Sequence, residues 1–142
     1  MINSFRDQYS WLSNFYDSPV VIGGLTYRNA ESAYQAMKCA DPNNRQRFID
    51  LTGAQAKRLG RTLRMDPAWE IKKFGVMYKV VEDKFLRNTM LMRWLQETGD
   101  EELVEGNTWN DTYWGVCGGK GTNYLGVILM TIRRKYGIRV DF

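Results

Sequence analysis

The sequence predicts an α+β fold: a helix-rich single domain with a small β-sheet. Its length of 142 residues is that of one domain. The content of 44% hydrophobic and 25% charged residues is usual for a globular protein. Helical periodicity dominates the middle of the chain, whereas strand-like segments are short. Because no repeat, linker or low-complexity tract interrupts it, we predict one domain over residues 1–142.

The first predicted elements are a β-hairpin and a helix. Residues 19–22 and 25–27 are strand-like and are separated by Gly-Gly at positions 23–24, a pair that suits a two-residue hairpin turn. Asn29 is the predicted N-cap of a helix from Ala30 to about Ala40, which stops before an Asp-Pro pair.

Helix signals continue in the next segment. Asp41 and Asp66 each precede a proline, and each therefore predicts a helix start. We interpret Gly53 and Gly60 as breaks that divide the region between Asp41 and Asp66 into short helices.

The segment from Pro67 to about Gln96 is the predicted central helix, with a kink near Gly75. Apolar residues recur there at spacings of mostly three and four. They are Ile71, Phe74, Met77, Val81, Phe85, Met92 and Leu95.

The C-terminal part is predicted to hold short strands and one helix. Residues 103–104 and 113–116 are the candidate strands, followed by a loop over 117–122. Thr122 or Asn123 then caps a last helix that runs from Tyr124 to Tyr136 and ends at Gly137.

The composition excludes several kinds of chemistry. The chain has no histidine, which removes His-based nucleophile pairs and most zinc sites. Cys39 and Cys117 are too far apart for a CxxC site and fit a reducing cytosol. We predict no metal and no cofactor. Without a signal peptide or a long apolar run, we expect a cytoplasmic protein that does not engage a membrane.

The net charge of +4 is unevenly distributed. Residues 45–93 hold twelve Lys/Arg and five Asp/Glu, a local charge of +7, and residues 94–132 hold one Lys and six acids, a local charge of −5. The basic stretch either forms ordinary solvated helix faces or attracts phosphates and nucleic acid.

Two places on the predicted helices, one of three residues and one of a single lysine, are candidates for chemistry. Glu31, Gln35 and Lys38 lie at i, i+4 and i+7, so they form one face that suits a sugar or nucleoside, although an ordinary exposed face has the same pattern. Lys84 interrupts the apolar side of the long helix. It either snorkels to solvent or lies in a pocket, where desolvation would lower the pKa of its amine and allow Schiff-base chemistry.

Residues 105–115 combine acids, amides and two tryptophans. Indole rings stack on bases, and a carboxylate such as Asp111 stabilises a sugar cation or activates water. The alternative is that the tryptophans fill the core and Asp111 caps a turn. The glycine-rich residues 115–121 fail as a Walker A loop because Lys120 is followed by glycine. The amides before the last helix either hold a phosphate or belong to a simple flexible turn.

Several short motifs, taken in order, resemble those of the NADAR family, also called YbiA-like. They are Trp11–Tyr16, Asn29–Lys38, Lys84–Asn88, Leu91 with Thr98–Asp100, Leu103–Glu105, Asp111 with Trp114-Gly115, and Gly121–Gly126. The resemblance covers about residues 5–136 and implies the fold of that family. It also implies N-glycoside hydrolysis, since family members are associated with cleaving ribosylamine intermediates of riboflavin biosynthesis and with removing ADP-ribose from guanine.

The resemblance assigns functional positions to this chain. They are Glu31, Trp69, Asp111 and Trp114, with a lysine that is either Lys38 or Lys84. The additional residues predicted to bind substrate are Asn14, Gln35, Arg61, Asn88 and Asn123.

Two routes to cleavage remain open. Glu31 and Asp111 would stabilise an oxocarbenium-like state and activate water, or a lysine would trap the opened sugar as a Schiff base.

We expect the substrate to be a small nucleotide or ADP-ribosylated guanine in nucleic acid, and the basic stretch favours the guanine adduct. The alternatives are a riboflavin intermediate, a non-catalytic module that binds ADP-ribose or NAD, and a basic nucleic-acid-binding domain. The oligomeric state is left open.

Overall fold

The computed structural model describes residues 1–137 and confirms the helix-rich α+β class. Contacts within the chain define two compact units. The central unit is Leu12–Asn88, and the terminal unit consists of Met1–Trp11 and the described residues from Thr89 to Gly137.

The helices and strands divide between the two units. The central unit contains β1 (Asp17–Ile22), β2 (Leu25–Asn29), α1 (Ala30–Met37), a 3₁₀ segment (Pro42–Phe48), α2 (Gly53–Thr62) and α3 (Trp69–Arg87). The terminal unit contains α4 (Thr89–Glu97), β3 (Gly106–Asn107), β4 (Val116–Cys117) and α5 (Tyr124–Lys135). A second 3₁₀ segment covers Asp7–Leu12.

The predicted hairpin is confirmed. β1 pairs antiparallel with β2, and Ile22 faces Leu25 across the turn. Gly23 and Gly24 have φ angles of 59° and 79°. Two successive positive φ angles are what a type I′ turn requires, and glycine adopts them without steric cost.

Helix α1 begins where the sequence predicts and ends three residues earlier. The Asn29 side chain accepts a hydrogen bond from the Ser32 N–H at 2.8 Å, as expected of an N-cap. At the other end, Cys39 forms a β-bridge with Met65 instead of a further helical turn. The apolar cluster under α1 consists of Val20, Tyr27, Ala30, Ala33, Ala36, Cys39, Phe48, Ala56 and Val80.

The two aspartate–proline starts differ in their local geometry. Asp41 caps the 3₁₀ segment as predicted, with its side chain accepting from the Asn43 N–H. Asp66 accepts from the Ala68 N–H in the turn before α3, and the helix itself begins at Trp69.

The interpretation of Gly60 as a break is wrong, because it lies inside helix α2, whereas a helix boundary does fall at Gly53, the first residue of α2. That helix opens with a capping box made by Thr52 and Gln55. Its glycines are instead points where another side chain comes close to the helix backbone, Phe15 at Gly53 and Gln35 at Gly60.

The prediction of one central helix kinked near Gly75 is also wrong. Gly75 lies within α3, and the break falls at Asn88, whose φ and ψ of −111° and 99° are extended and separate α3 from α4. Ile71 and Phe74 are not core residues, since 89% and 37% of their surfaces are exposed. Helical spacing identifies a face but does not say along how much of its length that face is covered.

The remaining apolar positions of the long segment are better predicted. Met77, Val81 and Phe85 of α3 and Leu95 of α4 are buried, and Met92 is half-buried.

In the terminal unit, the predicted strands shift along the chain. β3 and β4 pair in parallel, with Gly106 opposite Val116, and Leu103 forms only an isolated bridge with Ile2. Helix α5 begins at Tyr124 as predicted. Asn123 precedes it with a left-handed φ of 52°, and its side chain does not cap the helix.

Two further findings concern residues 1–137 as a whole. Cys39 and Cys117 are both free thiols. Within this range, no helix combines the length and apolar character that crossing a bilayer would require.

Candidate active site

A buried carboxylate–amide pair lies on α1. Glu31 and Gln35 are each only 6% exposed, and Gln35 Nε2 donates to Glu31 Oε1 at 3.0 Å. The alternative of an ordinary exposed helix face is therefore wrong for these two residues. Lys38, the third member of the predicted row, is the half-buried C-cap of the helix.

Lys84 is fully buried on α3, so of the two alternatives the snorkelling lysine is wrong and the buried lysine is found. Its Nζ donates to the Ser13 carbonyl at 2.8 Å. Two aromatic rings lie beside the amine, with the centroids of Tyr16 and Phe85 at 5.8 Å and 5.2 Å from Nζ. Burial lowers the pKa of the Lys84 amine to about 7, because desolvation disfavours the charged form.

The segment Ser13-Asn14 supports both groups. Two consecutive carbonyls of this segment accept hydrogen bonds, that of Ser13 from Lys84 and that of Asn14 from the Glu31 backbone N–H at 3.0 Å. Asn14 is itself buried, and its Nδ2 lies 3.4 Å from Met77 Sδ of α3. The segment therefore joins the start of α1 to Lys84 of α3 through two successive carbonyls.

Sequence reasoning missed the contribution of Ser13. A main-chain carbonyl is present at every residue, so no pattern of side chains marks the one that accepts from a buried lysine. The family-like motif Trp11–Tyr16 was the available signal.

Three other predicted binding residues lie in the central unit. Trp69 is 3% exposed and packs against Tyr34 of α1, with ring centroids 5.1 Å apart. Asn88 is half-buried, and its Nδ2 donates to Ser18 Oγ at 3.3 Å. Arg61 is exposed on α2, directly after the glycine that contacts Gln35.

The positively charged residues in and beside α2 differ from those of α3 in how they are paired with acidic residues. Residues 42–65 hold six Lys/Arg and one acid. Arg58, Arg61 and Arg64 are exposed, and none of them forms an ion pair with a residue in 1–137. On α3, by contrast, Lys73 and Arg87 pair with acids one turn away. The positive potential of the basic stretch is therefore concentrated around α2.

In the terminal unit, Asp111 closes a turn. Its Oδ1 accepts from the backbone N–H groups of Tyr113 at 3.1 Å and Trp114 at 2.9 Å. Asn107 braces the same turn, since its Nδ2 donates to the Asp111 carbonyl and its Oδ1 accepts from the Asp111 N–H. The turn-capping alternative thus describes one oxygen of Asp111, while Oδ2 accepts no hydrogen bond within residues 1–137.

The tryptophans of this segment do not fill a core. Trp109 is 50% exposed, with the Arg6 guanidinium 5.6 Å from its ring centroid, and Trp114 is half-buried against Tyr113 at 4.6 Å. Asn123 has a structural use in this unit, because its Oδ1 accepts from the Glu105 N–H and its Nδ2 donates to the Leu103 carbonyl.

Because the chain has no histidine, the buried groups described above that could take part in acid–base or nucleophilic chemistry are carboxylates and an amine. A family model described as the NADAR domain matches residues 2–136. The chain therefore belongs to the NADAR family.

Individual relatives agree with this assignment. The chain is 37% identical over 140 residues to N-glycosidase YbiA of Escherichia coli strain K12, a match that covers 95% of this chain and 86% of that protein. It is 35% identical over 133 residues to a riboflavin biosynthesis protein of Vibrio vulnificus, covering 91% of this chain and 36% of the relative. The NMR structure of Escherichia coli YbiA superposes with a TM-score of 0.81 at 33% identity, over 95% of this chain and 86% of that one.

Proposed function

We propose that this protein removes ADP-ribose from guanine and that Lys84 carries the reaction as a Schiff-base nucleophile. A relative that matches nearly the whole chain is named an N-glycosidase, so the chain is a hydrolase of N-glycosyl bonds. The observation that carries the mechanism is the fully buried Lys84 amine, whose pKa of about 7 leaves much of it neutral at physiological pH.

The chemistry follows from the neutral amine. A sugar joined to an amino group opens its ring to an imine at C1. Lys84 adds to C1, the bond from C1 to the base nitrogen breaks, and the base leaves as a free amine after taking up a proton. Water then adds to the protein–sugar imine, which releases the sugar aldehyde and restores the lysine.

The carboxylates have supporting roles in this proposal. Glu31, buried beside Gln35, moves the proton between the attacking and leaving nitrogens. Asp111 activates the hydrolytic water through its second oxygen. Trp69 and Trp114 remain predicted contacts to the base.

The choice of ADP-ribosylated guanine as substrate is supported by the unneutralised cations of α2. Arg61 follows Gly60, which contacts the Gln35 side chain, so this positive surface adjoins the buried pair. Arginines that have no acidic partner attract the phosphates of ADP-ribose and of a polynucleotide.

A second candidate substrate is a ribosylaminopyrimidine phosphate. The observation that favours it is the name of the Vibrio vulnificus relative, a riboflavin biosynthesis protein. Its ribose–nitrogen bond is open to the same attack by Lys84, so the two candidates differ in the base and not in the reaction.

The test is base release from each substrate, followed by chromatography. Wild-type protein is incubated with ADP-ribosylated guanosine and, separately, with the ribosylaminopyrimidine phosphate, and the Lys84→Met and Asp111→Asn variants serve as blanks. We expect release from the guanine adduct that both variants lose. Release from the pyrimidine alone would transfer the proposal to the second substrate, and release from neither would reject both.

Borohydride trapping separates the two mechanisms. Reduction during turnover should leave a sugar adduct that peptide mass spectrometry places on Lys84. An adduct on Lys38 would reassign the nucleophile. Turnover without any adduct would favour direct hydrolysis by the carboxylates.

A further inference from the structure

We infer that Gly60 of α2 and Gln35 of α1 form a positioning pair that holds the Glu31 carboxylate, and that Gln35 is not a ligand of the substrate. The inference rests on the proposed function, in which Glu31 acts in catalysis. It assigns to α2 a part in the reaction through the contact of Gly60 with Gln35.

The first step is that only one of the two polar atoms of the Gln35 amide has a hydrogen-bond partner among the described residues. Nε2 donates to Glu31 Oε1 at 3.0 Å, and both residues are more than nine-tenths buried. Oε1 is buried and accepts no hydrogen bond from any residue in 1–137. The single hydrogen bond at Nε2 does not by itself set the orientation of the amide. Packing against neighbouring atoms must therefore do so.

The second step is that Gly60 provides this packing. A Cβ atom at position 60 would lie 2.2 Å from Gln35 Oε1 and 3.1 Å from its Cδ. The amide therefore lies against the α carbon of Gly60, in space that only a glycine leaves open. Gly60 has no positive φ, so its role is this close approach and not an unusual backbone conformation.

The third step is that α2 is held in place independently of Gln35. Its N-terminus is closed by the capping box of Thr52 and Gln55. Beside it, Phe15 packs on Gly53, where a Cβ would lie 2.6 Å from the Phe15 Cγ. Because α2 is anchored at that end, a methyl group at position 60 would displace Gln35 rather than the helix.

Displacing Gln35 would remove the hydrogen bond that its Nε2 donates to the Glu31 carboxylate. The carboxylate would then lose one of the contacts that hold its rotamer, and a misplacement of about 1 Å costs on the order of 100-fold in rate. Substrate binding by other residues would be little affected. The pair should thus act on kcat and leave KM almost unchanged.

Gly60→Ala is the test, and Gly75→Ala is its matched control. Both substitutions add one methyl group inside a helix, but a Cβ at position 75 meets nothing within 4 Å. We expect Gly60→Ala to lower kcat for base release by about 100-fold with KM within about threefold, and Gly75→Ala to leave both unchanged. Equal kcat in the two variants would overturn the inference.

Gln35→Met keeps the test usable if Gly60→Ala folds poorly. Methionine preserves most of the volume and lacks the amide oxygen and the amide nitrogen. It should reproduce the loss in kcat, again without a matching change in KM. Wild-type kcat in this variant would show that the amide does not position Glu31.

A double-mutant cycle then distinguishes this contact from general damage to α2. In a Gln35→Ala background the methyl group of Gly60→Ala has room, so it should lower kcat no further. Full additivity of the two losses would mean that Gly60 acts without Gln35, which contradicts the proposed pair.

One readout does not depend on activity. The side-chain amide signals of Gln35 in a nitrogen–proton NMR spectrum should shift in Gly60→Ala and stay in place in Gly75→Ala. If the wild type releases no base from either substrate, the proposed function fails, and these signals still test the contact. Unmoved signals in Gly60→Ala would reject the contact itself.

Discussion

Burial of Lys84 links the pH dependence of the reaction to one amine. The protonated amine has no lone pair for addition to C1, and its pKa is about 7. We expect kcat to rise by about tenfold per pH unit below this value and to level off above it. Single-turnover rates between pH 5.5 and 8.5 measure this profile. A rate that does not vary across this range would exclude Lys84 as the nucleophile.

The same amine should make the protein less stable at low pH. The pKa of Lys84 is about 7 in the folded protein and 10.5 as its ordinary value, so the unfolded chain binds more protons between them. Above pH 10.5 the Lys84 amine is neutral in both states and does not lower the free energy of unfolding. As the pH falls from 10.5 to 7, the free energy of unfolding decreases.

Lys84→Met tests this linkage by removing the titrating group. The variant should be inactive and should exceed wild type in free energy of unfolding by about 1–3 kcal/mol near pH 6.5. The gain should shrink toward pH 9, because wild type recovers stability over that range. Urea unfolding at the two pH values measures it, and a gain independent of pH would contradict the assigned pKa shift.

Asp111 offers a substitution that separates charge from turn formation. Asparagine retains an oxygen that can accept from the Tyr113 and Trp114 N–H groups, whereas alanine removes it. Asp111→Asn should lower turnover by about 10²–10⁴-fold with an unchanged unfolding midpoint. Asp111→Ala should lower both turnover and stability. Near-wild-type turnover in Asp111→Asn would remove this carboxylate from the mechanism.

Among the elements, α1 depends on one buried cap. The Asn29 side chain accepts from Ser32 N–H and donates from Nδ2 to Asp17 Oδ1 at 3.2 Å and the Leu51 carbonyl at 3.0 Å. Asn29→Ala removes all three contacts at a fully buried position, and we expect a loss of about 2–4 kcal/mol.

The cap of α2 is the control for this prediction. Thr52 makes hydrogen bonds with Gln55 in an exposed setting, so Thr52→Ala should cost only about 1 kcal/mol. Chemical denaturation of both variants measures the difference. Equal losses would mean that the contacts to Asp17 and Leu51 add nothing to the cap.

Element starts were predictable from the sequence because local chemistry determines them. The Gly-Gly turn after Ile22 and the caps at Asn29 and Asp41 each satisfy backbone groups within a few residues. The separation of α3 from α4 at Asn88 was not predictable, since apolar spacing continues across it. Its side chain bonds to Ser18, 70 residues earlier, which no local pattern records.

The same distinction applies to the candidate site. Glu31 and Lys84 were recognisable as residue types in the right helices, but their burial depends on packing by distant segments. The Ser13 carbonyl and the α carbon of Gly60 were not recognisable, because neither is a functional side chain. Gly60 looks like a helix break in the sequence, and its use is visible only when Gln35 is seen against it.

For the whole molecule, the net charge of +4 conceals an uneven distribution. Arg58 of α2 is exposed and forms no ion pair within residues 1–137, and the same holds for Lys79 of α3. If only the surface around α2 meets a polynucleotide, these two cations should differ in effect although their removal changes the net charge equally.

The prediction compares Arg58→Gln with Lys79→Gln on ADP-ribosylated guanine in a single-stranded oligonucleotide and in guanosine. Arg58→Gln should lower kcat/KM for the oligonucleotide and reduce the slope of its logarithm against log salt by about 0.7, the contribution of one phosphate contact on a single strand. Cleavage of the guanosine adduct should not change, because it lacks the neighbouring phosphates.

Lys79→Gln is the control and should leave the cleavage of both substrates unaffected. Equal effects of the two variants would mean that net charge attracts the oligonucleotide, whereas no effect of either would restrict recognition to the modified nucleotide itself.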